Sequence, residues 1–324
     1  MKRIFSLILA IVLLSVCLAG CTGNSSSGSA AGNSEKFKIG VLAPTVTEGW
    51  DSGVTYYAEK RCQALAIDGE IEYRLFRCDS GEDVSSGVEQ LRIWGVQAVV
   101  VYPQWDDVEE ALQALIDDGI PVFSFEKEPD CKGLYRISFD NEDIGRQSAT
   151  YIVDKVGNSG TVILLNNPSA GAVSTLRQKG FEEKVAEIAP NLTVYTYAAG
   201  FTREDGQRAF EDILSEHDQI DAVFSMSDET SMGVLSAVRE KHRTDIQVIT
   251  GVGGSQEYLG MIAEEENADI TLQTVLYSPV SVEKVVNRAL ALLKGERVRQ
   301  TETVSTTVVD RENCERYLDE KSPY

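Results

Sequence analysis

The amino-acid sequence predicts an α/β protein of two similar lobes, each built on a parallel sheet. Three observations lead there. Short β-rich runs alternate with helical patterns, the rhythm of βαβ units. Runs such as Ala98–Tyr102 (Ala-Val-Val-Val-Tyr) are almost continuously apolar, as strands covered on both faces are. The rhythm breaks near Leu134–Asp140 and then restarts for a second stretch of comparable length.

Taken in order, Phe37–Ala43 is an apolar run ending before Pro44 and reads as the first strand. Asp51–Ala66 is amphipathic, Glu70–Arg77 alternates as a strand, and Glu82–Trp94 reads as a helix. Ala98–Tyr102 is the buried strand, Val108–Asp118 a helix, and Pro121–Phe125 and Leu134–Phe139 two further strands. The second stretch runs helix Asp143–Val156, strand Gly160–Asn166, helix Ser174–Ile188 and strand Leu192–Tyr197. It continues with helix Glu204–Glu216, strand Ala222–Met226, helix Thr230–Lys241 and strand Gln247–Val252. Ser255–Glu266 reads as helix, Asp269–Leu276 as extended, Val280–Leu293 as a strongly amphipathic helix closed by Gly295, and Thr303–Val309 as one late strand.

The segment before Phe37 has a different character. Lys2 and Arg3 precede an apolar run from Ile4 to Leu14, which has the build of an export signal and is too short to be a lasting membrane span. Leu18-Ala19-Gly20-Cys21 resembles a bacterial lipobox, which implies removal of residues 1–20 and a lipid on Cys21. Thr22–Ser34 is almost all Gly, Ser, Asn and Ala, a composition that buries no core and reads as a flexible tether over residues 21–36. The expected localisation is therefore extracytoplasmic, with the membrane reached through the lipid on Cys21.

The chain has 324 residues, 43% hydrophobic and 25% charged, an ordinary globular balance. Its net charge of −21 is not ordinary, and loss of Lys2 and Arg3 makes it more negative. So acidic a chain repels nucleic acid and anionic lipid, which excludes binding through a phosphate backbone. Cys62, Cys78, Cys131 and Cys314 have no metal-ligand spacing, so no metal is expected. Outside the cell they are candidates for disulfides, with Cys62–Cys78 a reasonable pair. The two histidines, His217 and His242, lie in charged surroundings and read as surface residues.

In an open parallel sheet, ligands sit beyond the carboxyl ends of the strands. That rule nominates the loops Pro44–Asp51, Pro103–Asp107 and Glu126–Asp130 in the first lobe. In the second it nominates Asn167–Arg177, Ala199–Arg203, Ser227–Thr230 and Gly253–Gln256. They carry Trp50, Trp105, Arg177 and Phe201. Flat aromatic faces with forked donors suit the C–H faces and paired hydroxyls of a sugar ring.

At these loops the chain resembles a type I periplasmic substrate-binding protein of the ribose/galactose group. The resemblance runs from about Phe37 to Val309 and rests on ordered fragments. These are Lys38-Ile39-Gly40-Val41-Leu42, Val100-Val101-Tyr102-Pro103, Gly119-Ile120-Pro121-Val122, and Phe139-Asp140-Asn141 with Gly145. They continue with Arg177 before Gly180-Phe181, Ala222-Val223-Phe224 with Asp228 and Gly233, and the late turn at Gly295. The resemblance implies Rossmann-like lobes joined by a multi-strand hinge: 37–139 with about 277–298, and 140–274 with about 299–312. It implies ligand contacts at Trp50, Asp51, Trp105, Glu126, Lys127, Arg177, Phe201, Ser227, Asp228 and Gly253. Asp140 and Asn141 are expected at the hinge or as caps. Glu126 and Lys127 stand where the family usually has Asp-Arg. Gly251-Val252-Gly253-Gly254 replaces a Gly-Phe-Asp-Gly, so an acid of the pattern is missing at Gly253.

The expectation is a monomeric, lipid-anchored binding protein with no catalytic residue and no cofactor. It would take a small sugar-like molecule and present it to ABC permease subunits or, alternatively, to a membrane sensor such as a histidine kinase or chemoreceptor.

Overall fold

The computed structural model describes residues 36–46, 49–264, 267 and 269–324; the signal, most of the tether and Cys21 lie outside the described residues. The first sheet holds β1 (Phe37–Pro44), β2 (Ile71–Cys78), β3 (Ala98–Val101), β4 (Val122–Phe125), β5 (Tyr135–Phe139) and β11 (Thr301–Val304). Its order is β11-β5-β4-β3-β1-β2, all parallel. The second holds β6 (Ser159–Asn166), β7 (Asn191–Ala198), β8 (Ala222–Ser225), β9 (Val248–Gly253), β10 (Thr271–Leu276) and β12 (Val308–Val309). Its order, β12-β10-β9-β8-β6-β7, repeats the first, with β12 antiparallel to β10. In each sheet the winding reverses beside the first strand, which opens a crevice at the carboxyl ends.

The helices are α1 (Gly49–Ile67), α2 (Gly81–Trp94), α3 (Glu109–Asp117), α4 (Asn141–Val156), α5 (Ala172–Ile188), α6 (Arg203–Glu216), α7 (Asp228–Glu240), α8 (Gln256–Ala263) and α9 (Val282–Leu293). Short polar residues start several of them. Ser80, Asp140, Thr202 and Ser227 each accept the N–H three residues on, which satisfies an otherwise orphaned donor. The apolar runs that lack alternation, β3 and β8, are buried at every residue.

One core joins the two lobes. It lies under α1 and α9 on one face of the first sheet and under α4 and α5 on one face of the second. The opposite faces carry separate cores, under α2 and α3 in the first lobe and under α6, α7 and α8 in the second.

This layering overturns the cysteine pairing expected from sequence. Cys62 lies in the shared core beneath α1, while Cys78 lies in the core on the other face of the same sheet. Among the described residues Cys62, Cys78, Cys131 and Cys314 are all free thiols. Burial, the largest effect on each, pushes Cys62 up to about 12 and Cys78 to about 11.

The chain crosses between lobes from β5 to α4, from β10 to α9 and from β11 to β12. The late run Thr303–Val309 is therefore two strands, not one. Thr301–Val304 extends the first sheet beside β5, although the sequence reading places residues 299–312 in the second lobe. Val308 and Val309 then pair with β10 in the second sheet. After β12 a 3₁₀ turn at Cys314–Tyr317 packs on the second lobe, and residues 318–324 follow it.

Candidate functional site

The carboxyl ends of the strands face a cleft of about 450 Å³. Its first-lobe wall is aromatic. Trp50, at the start of α1, stacks on Tyr277 with ring centres 4.6 Å apart and on Phe125 at 5.8 Å. The Tyr102 ring meets it edge-on at 5.6 Å. Trp50 Nε1 donates to the Tyr277 carbonyl at 2.5 Å, which holds the indole in place in the lining of the cleft. Tyr102 donates its hydroxyl to Asp51 Oδ1 at 2.9 Å, which fixes that carboxylate at the rim.

Arg177 comes from the second turn of α5, and two glycines set its position. A Cβ on Gly145 would stand 2.0 Å from the Arg177 carbonyl, and one on Gly180 would stand 2.0 Å from the Glu142 carbonyl. Only glycine at both sites lets α4 and α5 approach this closely. Arg177 is 2% exposed, not in a surface ion pair with Glu182 or Glu183. Its Nε donates to Asn141 Oδ1 at 2.9 Å and its Nη1 to the Met226 carbonyl at 2.7 Å. The guanidinium lies 4.5 Å from the Tyr277 ring centre, a cation–π contact. Its Nη2 has no partner among the described residues, although a buried donor without one is costly. Arg177 lines the cleft, and burial pushes its pKa below the usual arginine value.

Glu126 directly follows β4 and is 3% exposed, so it is not half of a surface pair with Lys127. Its Oε1 accepts from Asn141 Nδ2 at 2.7 Å and its Oε2 from the Phe139 N–H at 3.0 Å. Both oxygens thus brace the first crossing. Its backbone is left-handed, φ +62°, an unusual state for glutamate. Arg136 holds it there by donating Nε and Nη2 to the Glu126 carbonyl at 3.2 and 3.1 Å. Asp140 caps α4, and Asn141 joins Glu126 to Arg177, which places both at the hinge.

The structure brings Trp50, Asp51, Glu126, Lys127, Arg177, Phe201 and Ser227 to the cleft. Lys127 makes no ion pair among the described residues. Trp105, Asp228 and Gly253 do not line it. Trp105 packs on the core under α2 and α3, outside the cleft, and Gln104 takes the place at the rim. Asp228 is 0% exposed and lies beneath the floor. Its Oδ1 accepts from the Thr274 hydroxyl at 2.6 Å, and its Oδ2 from the N–H groups of Gly254 and Ser255 at 2.5 and 2.8 Å. It is a clamp on the β9–α8 turn rather than a free acceptor, while Ser227 is the cap of α7. Burial pushes the Asp228 carboxyl up to about 6.

Gln104, Asn167 and Glu229 line the cleft from loops that the crevice rule nominates, although the sequence singles out none of the three as a contact. Tyr102 and Tyr277, which directly follow β3 and β10, lie outside the nominated loops. Tyr324 has no such signal. Among the described residues no cluster of His, Cys, Asp and Glu is arranged to hold a metal ion. The cleft offers ring faces, one buried unpaired N–H and carboxylates of fixed direction, a set that binds rather than reacts.

The model of the periplasmic binding protein domain matches residues 39–297. A xylitol-binding protein of Mycolicibacterium smegmatis is 24% identical over 294 residues, covering 88% of this chain and 80% of that one. A ribose import binding protein of Bacillus subtilis is 26% identical over 280 residues, covering 84% and 86%. Among solved structures, a solute binding protein of an ABC transporter from Actinobacillus succinogenes, with bound D-allose, superposes with a TM-score of 0.75 at 20% identity. It covers 87% of this chain and 100% of that one. Both curated relatives are named for what they bind, not for a reaction. With a match that runs from within β1 through α9, this chain belongs to the periplasmic binding protein domain family.

Proposed function

We propose that this protein is an extracytoplasmic solute-binding protein that captures a sugar or sugar derivative between its lobes and delivers it to the permease of an ABC transporter. One observation carries the reading: a buried arginine N–H, at Arg177 Nη2, is left without a partner beside stacked aromatic faces in a cleft between the two sheets. A ligand hydroxyl supplies the missing acceptor, and the aromatic side chains Trp50 and Phe201 cover its C–H face. In this reading Trp50, Asp51, Lys127, Arg177, Phe201 and Ser227 touch the ligand. Glu126 and Asn141 position Arg177. Closure about the three crossings buries the ligand and assembles one surface from both lobes for the permease.

The names of the relatives, for xylitol, ribose and bound D-allose, support a sugar or polyol as the class. Import is favoured over signalling because the ribose-binding relative is named for import. The N-terminal sequence completes the proposal: residues 1–20 as an export signal, Cys21 as the lipidated residue, and the Gly/Ser stretch as the tether of a monomeric domain.

The test is a thermal-shift screen of the soluble form starting near Ser34 against pentoses, hexoses, sugar phosphates and polyols. A ligand held only by the folded state adds about 2.7 kcal/mol of stability at a hundredfold excess over its Kd. A shift that Arg177→Ala abolishes is the expected result. No shift with any member of the panel contradicts the sugar reading.

A further inference from the structure

The cleft has a wall that belongs to neither sheet. After the turn on α8, the chain leaves the second lobe and reaches the first. Gln256, at the start of α8, holds the departing end: its Nε2 donates to the Tyr317 carbonyl at 3.2 Å and its Oε1 accepts from the Asp319 N–H at 2.6 Å. On the first lobe, Tyr57 of α1 donates its hydroxyl to Ser322 Oγ at 2.8 Å. Ser322 Oγ also donates to the Tyr324 carbonyl and accepts the Tyr324 N–H at 3.3 Å, which fixes a tight turn. Residues 317–324 are therefore a strap tied to both lobes.

The turn directs Tyr324 into the cleft, where the residue is 8% exposed and part of the lining. Glycines stand beside it on both lobes. A Cβ on Gly53 of α1 would lie 2.7 Å from Pro279 Cγ and 3.3 Å from Tyr324 Cβ, and a Cβ on Gly253 of β9 would lie 2.3 Å from the Tyr324 hydroxyl oxygen and 2.8 Å from Asp228 Oδ2. The phenol thus occupies the space that any larger side chain at Gly253 would need. Among the described residues its hydroxyl has no hydrogen-bond partner. Burial pushes its pKa well above the ordinary value, so it stays a neutral group able to donate and to accept.

We propose that Tyr324 is a specificity-determining residue of the cleft: its ring sets the space above Gly253, and its hydroxyl is offered to a hydroxyl of a single-ring sugar or polyol. The proposal rests on the solute-binding reading above and names how that site selects. A neutral phenol stands where a side chain at Gly253 would otherwise reach the ligand, and its ring excludes bulky substituents at that end.

The experiment uses the full chain with Tyr324→Phe and Tyr324→Ala, titrated calorimetrically against pentoses, hexoses, polyols and methyl glycosides. Tyr324→Phe is expected to weaken the best ligand about tenfold and keep the rank order, as loss of one hydrogen bond does. Tyr324→Ala is expected to weaken it further and move the order toward the bulkier glycosides. Unchanged affinity and order in both variants overturn the proposal. So does uniformly tighter binding in Tyr324→Ala, which would make the ring a plug. A second readout needs no ligand: trypsin cleavage after Lys321, followed by mass spectrometry. Release of Ser322–Tyr324 is expected at least tenfold faster from Tyr324→Ala than from the wild type. Equal rates mean the ring is not docked and overturn the proposal whatever binds. A protected strap in a wild type that binds nothing in the panel overturns the ligand-facing role and the sugar reading together, whereas equal cleavage with sugar binding intact removes only the strap.

Discussion

Arg177 Nε donates to Asn141 Oδ1 at 2.9 Å, and this contact ties the arginine of the cleft to the first crossing between the lobes. The same amide donates Nδ2 to Glu126 Oε1 at 2.7 Å, and the other Glu126 oxygen accepts the Phe139 N–H. A carboxylate at the end of β4 therefore orients a guanidinium on α5 through one amide. Asn141→Ala leaves a buried carboxylate oxygen and a buried N–H unpaired. The expected cost is about 1–3 kcal/mol of stability per orphaned group. Affinity should fall although Asn141 is outside the cleft lining. Urea denaturation and calorimetry on the same variant check both.

The glycine contacts between α4 and α5 give a second expectation. At Gly145 the neighbour is the backbone carbonyl of Arg177, which cannot swing aside as a side chain can. Gly145→Ala forces the helices apart and is expected to cost about 1–3 kcal/mol, as overpacking does. Because the displaced carbonyl belongs to Arg177, ligand affinity should fall as well. Gly260→Ala is the control: nothing lies within 4 Å of a Cβ there, so stability should be unchanged or slightly improved.

The buried Asp228 carboxyl predicts a pH dependence. Its folded pKa, about 6, lies above the ordinary carboxyl value of 3.8 because burial disfavours the charge. Between roughly pH 4 and 6 the folded protein holds a proton that the unfolded chain has lost. The contribution is therefore full below pH 4 and is lost as pH rises through 6. Asp228→Asn can offer its oxygen to Gly254 and Ser255 and its amide to Thr274, but it does not titrate. The stability of the wild type relative to this variant is expected to fall by roughly 3 kcal/mol between pH 4 and 7. Parallel stability curves for the two proteins would contradict this.

Thiol chemistry should follow the layering. With pKa values of about 12 and 11, Cys62 and Cys78 are expected to resist iodoacetamide in the native protein at pH 8. The partly exposed Cys131 should react first. Peptide mapping after brief alkylation checks the order, and a reductant should leave the melting temperature unchanged.

Much of the fold was legible because it rests on local signals. Unbroken apolar runs mark β3 and β8, and short polar caps mark the helix starts. The late run was harder. Thr303–Val309 looks like one strand, and only its neighbours β5 and β10 decide that its halves pair with different sheets. Trp50 and Trp105 occupy similar loops, yet only Trp50 faces the cleft. The loop of Trp105 turns through a left-handed Asp107, φ +60°, and the indole packs away from the cleft. No offset in sequence encodes that turn. Asp228 was misread for a related reason: its partners, Gly254, Ser255 and Thr274, are distant in the chain and meet it only in the fold. Tyr324 is the extreme case, since its place is set by Gly253 of the second lobe and by the Tyr57–Ser322 contact on the first.

A calorimetric titration of the best ligand from the screen into the wild type and into Arg177→Ala decides whether the cleft is the binding site. One saturable site per chain is expected, with a loss of at least about a hundredfold in the variant, near 2.7 kcal/mol, as for truncation of a buried charged donor. Equal affinity in the two proteins would place the ligand outside this cleft and contradict the account.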